Sequence, residues 1–122
     1  MTKDEVIQHL EHIRVSMDEV VTMDSPELIL NKINDLTNLI GLSGEIYAWT
    51  EELYNKKLGE LVLMKQFKDM GATDKKMLFA SLASGEIMLH TKAERYNRGI
   101  VHQIDALRSM LSFIKEELKK TY

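Results

Sequence analysis

The sequence predicts an all-α protein: an antiparallel helical bundle or long helical hairpin of three to four helices with coiled-coil-like packing. Three observations carry this. Apolar residues recur three and four apart through most of the chain, which lines them up on one side of a helix. Six glycines and one proline in 122 residues are too few for the many tight turns of an all-β domain. Capping residues punctuate the pattern where helices should begin.

The first helix is expected over residues 1–23. Thr2 and Glu5 form a capping-box pair, and Val6, Leu10, Ile13, Met17 and Val20 make one apolar seam. Asp24-Ser25-Pro26-Glu27 then reads as a stop and restart. Ser25 can cap, Pro26 suits the first turn, and Glu27 meets the positive end of the helix dipole.

A long central helix is expected over residues 25–71. Ile29, Ile33, Leu36 and Ile40 form one stripe, and Leu39, Leu42, Ile46, Trp49 and Leu53 a second beside it. Two adjacent stripes imply burial on a wide face. Gly41 and Gly44 each weaken a helix by ~1 kcal/mol relative to alanine, so a kink or a close packing contact is expected at 41–44. The pattern continues through Leu58, Leu61, Met64 and Phe67 to Met70, with Gly71 as a left-handed C-terminal cap.

A short helix is expected over 73–83, capped by Thr73 or Asp74, with Ser84-Gly85 separating it from the last helix or bending it. The last helix, 84–121, carries the stripe Leu89, Ala93, Tyr96, Ile100, Ile104, Leu107, Leu111, Ile114 and Leu118. Short connections make neighbouring helices antiparallel. Eight methionines suit irregular gaps between them. Ser43-Gly44-Glu45-Ile46 recurs as Ser84-Gly85-Glu86-Ile87, consistent with a duplicated helical unit or with chance.

Composition narrows the function classes. The chain has the length of one domain and 44% apolar residues, enough for a packed core. Without cysteine there are no disulfides, thiolate metal sites or thiol catalysis. No apolar run approaches the ~20 residues that span a bilayer, and Met1-Thr2-Lys3-Asp4-Glu5 is not a signal sequence, so a cytoplasmic protein is expected. Charge is uneven. Residues 1–53 hold three bases against eleven acids, a net −8, and residues 54–122 hold thirteen bases against eight acids, a net +5. The two halves can attract each other within one fold or between subunits, or the basic half can meet an anionic partner.

No nucleophile elbow or glycine-rich phosphate loop occurs, so no enzyme activity, catalytic residue or cofactor is expected. Glu5, His9 and His12 share a helix face at metal-ligand spacing, but no second ligand cluster accompanies them, and a solvated face is the simpler reading. Lys92, Arg95, Arg98, His102 and Arg108 on the last helix are candidate contacts for a partner or for single-stranded nucleic acid, with Tyr54 or Tyr96 able to stack on a base. Interleaved Glu94, Glu116 and Glu117 can neutralise part of that face. Tyr47 and Tyr54, two turns apart, are a candidate aromatic interface if they share an exposed face.

Ile46-Tyr47-Ala48-Trp49 through Tyr54-Asn55-Lys56-Lys57, the turn at Lys75-Lys76, and Ile104-Asp105-Ala106-Leu107-Arg108-Ser109-Met110-Leu111-Ser112 carry a likeness. Over roughly residues 40–118 the chain resembles small helical proteins from early regions of tailed bacteriophages, which accompany recombination or replication genes. The resemblance implies a DNA-metabolism context and supplies no catalytic residue. The expected function is a non-enzymatic accessory protein acting through protein–protein contacts, or alternatively a single-strand nucleic-acid binder. Long seams with few internal partners add the expectation of a homodimer.

Overall fold

The computed structural model describes residues 1–19, 21 and 25–121. It is an all-α bundle of α1 (Lys3–Asp18), α2 (Pro26–Val62), α3 (Ala72–Leu82) and α4 (Ser84–Thr121), with a 3-10 turn at Lys65–Phe67. Among the described residues there is no strand.

The start signals work as the side chains dictate. The Glu5 N–H donates to Thr2 Oγ1 at 3.2 Å, and the Thr2 N–H donates to Glu5 Oε2 at 3.2 Å. The Leu28 N–H donates to Ser25 Oγ at 3.4 Å, with Pro26 in the first turn. The first helix is shorter than expected. It ends at Asp18, and Glu19 is already extended. Val20 and Met23, assigned to that helix above, lie outside the described residues.

The end of α1 is completed by its neighbours. Its last turn carries no basic residue, and its final carbonyls have no intrahelical donor. The Lys32 ammonium, from α2, donates to the Ser16 carbonyl, and Gln103 Nε2, from α4, donates to the Met17 carbonyl at 3.0 Å. Lys32 is only 6% exposed. Its charge faces the negative end of the helix dipole and lies 3.7 Å from Glu19 Oε2.

The largest interface joins α2 and α4. Asn97 Nδ2 donates to Ser43 Oγ at 3.1 Å, and Thr50 Oγ1 lies 3.1 Å from His90 Nδ1. Rising numbers on one helix meet falling numbers on the other, so the pair is antiparallel. The two rungs are seven residues apart on both helices, two full turns. Sliding one helix past the other by two turns would break a polar pair inside an apolar seam, so the rungs fix the register. α1 lies in the groove with the opposite polarity to α2. Its Met17 reaches Gly99, where an added methyl carbon would fall 2.5 Å from Met17 Cε.

Val6, Leu10 and Ile13 of α1, Ile29, Ile33, Leu36 and Ile46 of α2, and Leu89, Ala93, Ile100 and Ile104 of α4 form the main core. A smaller core gathers Leu61, Phe67, Phe79 and Ala83. Phe67 meets Phe79 edge-on, centroids 5.5 Å apart at 82°.

Several expectations are corrected. The second helix stops at Val62, not near Met70. Met64 turns extended, and the following 3-10 turn swings Phe67 inward onto Phe79. Gly71, with φ −63° and ψ 153°, starts α3 rather than capping α2 in a left-handed conformation. Thr73 and Asp74 fall inside α3 and do not cap it. α2 runs unbroken through Gly41 and Gly44, where an added methyl would meet no neighbour within 4 Å, so close packing does not explain them. Ile40 and Leu118 are exposed, at 36% and 49%. Met1, Met64, Met70, Met77 and Met88 are exposed too, while Met17 and Met110 pack against the core. Ser43 is buried in mid-helix whereas Ser84 is exposed at a helix start, so the repeated tetrapeptide occupies two unlike environments.

Candidate functional site

The outward side of α4 holds the basic candidates. Lys92, Arg95, Arg98, His102 and Arg108 are all exposed. At about 100° per residue, Arg95, Arg98 and His102 share one arc of the helix. Arg108 lies roughly 120° round from His102 by the same geometry, so it does not join the group. Arg98 is paired with Glu94 one turn back. The Lys92 ammonium lies 5.7 Å from the centre of the Tyr96 ring, a cation–π distance. Lys92, Arg95 and Tyr96 line a shallow cleft of about 390 Å³ with Met88 and Thr91. Met88 is 71% exposed, and Val101 and Phe113 are exposed further along.

The acidic side chains of α1 pair mainly within that helix. The Arg14 guanidinium hydrogen-bonds Glu11 and holds its carboxyl below the ordinary range, and Lys92 of α4 adds a smaller pull. Arg14 is raised in turn by Glu11 and Asp18.

Tyr47 and Tyr54 do share a face, but it is turned towards α4. Tyr47 lies 5.1 Å from His90, centroid to centroid, and Tyr54 stacks on it at 6.2 Å with the rings 8° from parallel. Both tyrosines are half-buried. The expected exposed aromatic patch is therefore an internal stack around a histidine. Seven-residue spacing on α2 puts both rings beside the one place on α4 where a planar side chain stands. Tyr54 and Tyr96 are both engaged by neighbours and neither stands free for a base.

Sequence reasoning missed the buried polar group. Lys32, Ser43 and Thr50 are all buried among apolar neighbours of α2. Their spacing from Ile29, Leu36 and Ile46 was a readable signal, since each falls on the same face. A polar cleft of about 310 Å³ opens where α1 meets α2, lined by His12, Ser16, Glu19, Lys32 and Asp35 among others. Its lysine is committed to the Ser16 carbonyl and is not a free nucleophile. His9 and His12 join no group of three His, Cys, Asp or Glu able to hold a metal among the described residues. No described helix is long and apolar enough to cross a membrane.

No protein-family model matches the chain, and neither a curated protein nor a solved structure matches it.

Proposed function

We propose that this chain is a non-enzymatic, phage-type accessory protein that acts through protein–protein contacts. The partner class is a DNA replication or recombination protein, or a host defence protein that it inhibits in the bacterial cytoplasm. One observation supports this most: the outward face of α4 sets exposed Met88 beside Arg95, Arg98 and His102. Arginine, methionine and aromatic residues are the types enriched where proteins meet. The mechanism is occlusion or scaffolding by that face. Self-association as a homodimer belongs to the same proposal, supported by the exposed Phe113 and Leu118 near the end of α4.

The test compares the native chain with an Arg95→Glu/Arg98→Glu variant. Affinity capture from host extract should recover a protein that the variant loses, while light scattering reads the mass of each. A second proposal is direct binding of single-stranded nucleic acid. It is favoured by Arg95, which has no ion-pair partner among the described residues. A gel shift with labelled single strands at low salt separates the two. Strand binding that weakens with salt and vanishes in the variant would select the second proposal, because phosphate contacts release counterions.

A further inference from the structure

A third cleft lies away from the outward face of α4, between the C-terminal half of α2 and α3. Its volume is about 430 Å³, inside the range of about 300–1,000 Å³ found for small-ligand sites. Leu58, Phe79 and Ala80 give it an apolar lining, and Lys75, Lys76 and Tyr54 supply its polar groups. Phe79 is buried, Lys75 half-buried and Lys76 exposed. Neither lysine has a carboxylate partner among the described residues. Asp74, the acidic residue in the first turn of α3, does not line the cleft. The Tyr54 hydroxyl makes no hydrogen bond to another described residue.

We infer that this cleft binds a small anionic amphiphile, an alkyl or aryl carboxylate, with its tail on Leu58, Phe79 and Ala80 and its head between Lys75, Lys76 and the Tyr54 hydroxyl. A simple hydrated anion would leave the apolar lining uncovered, whereas an apolar tail fills it. The two unpaired ammonium groups select against a cationic or neutral amphiphile of the same length. The modest volume fits a single chain or ring better than a folded partner. This site is independent of the α4 face, so it stands or falls separately from the proposal above.

Titration calorimetry with dodecanoate, kept below its micelle concentration, tests the site. Saturable one-to-one binding is expected. Dodecanol and dodecyltrimethylammonium should bind at least roughly tenfold more weakly, since a charge-assisted contact is worth about 1.5–3 kcal/mol and each 1.4 kcal/mol is tenfold. Lys75→Glu/Lys76→Glu should abolish binding while circular dichroism keeps the native helicity. Ala80→Trp, which fills the cleft and leaves both lysines, should also abolish it. Absence of saturable binding to the native chain would overturn the inference. So would equal affinity for dodecyltrimethylammonium, or dodecanoate binding unchanged in either variant.

Discussion

The two ends of the molecule are held by different means. At one end three helices converge, and their apolar core is laced by polar contacts: Lys32 to Ser16, Gln103 to Met17, and Asn97 to Ser43. At the other end α3 and the 3-10 turn rest on α2 and α4 through a handful of buried residues around one aromatic pair. Among the described residues no side-chain hydrogen bond ties α3 to another helix. The first end has one arrangement that satisfies its buried polar atoms. The second is fixed by shape alone, and shape tolerates adjustment better than hydrogen bonding does. The end open to adjustment is also where the apolar cleft with two lysines lies.

This contrast can be broken or sharpened by substitution. The largest effect is expected from Ile46→Ala, at a fully buried position of the main core. It should cost about 2–5 kcal/mol, read as a shift in urea midpoint of the whole bundle. Phe79→Ala removes half of the aromatic pair and should cost about 3 kcal/mol locally. Hydrogen exchange should show α3 amides losing protection while those of α1 stay slow. Equal loss in both helices would show that the two ends unfold as one unit.

Lys32→Ala should cost about 1–3 kcal/mol, because the Ser16 carbonyl is left without its donor. Its exchange signature should be fraying of the last turn of α1. Thr50→Val keeps shape and removes the contact with His90, for about 1 kcal/mol. The smallest effect is expected from acid. The Glu11 carboxyl is lowered below its ordinary value of 4.5 in the folded chain. Its contribution is present above that value and is lost as pH falls further, through the folded value, because the unfolded chain takes up the proton first. Glu11 is exposed, so the loss is screened. Glu11→Gln should flatten the acid limb of stability below about pH 4.5, by a small loss of stability at neutral pH and none at the acid end, where the native carboxyl is already protonated.

Much of the fold was legible because local rules and tertiary packing agree. The seams Val6–Leu10–Ile13 and Leu89–Ala93–Ile100–Ile104 are buried where periodicity puts them. The caps at Thr2 and Ser25 form because those side chains reach free N–H groups. The end of α2 was not legible. No glycine or proline stands at Val62 or just after it, and the chain turns there so that Phe67 can meet Phe79 of the next helix. The exposed row Lys92, Arg95, Arg98 and His102 was legible as a helix face, with Arg108 exposed beyond it on a different arc. The stack of Tyr47, His90 and Tyr54 was hidden because half of it belongs to another helix.

The Thr50 side chain has one hydrogen to give, and it goes to the Tyr47 carbonyl, 2.8 Å away. The imidazole opposite must therefore bring its own, which places a proton on Nδ1 and leaves Nε2 with the bare lone pair. Turning that ring over would break its bond to Thr50, so the contact fixes which edge of the imidazole faces α2.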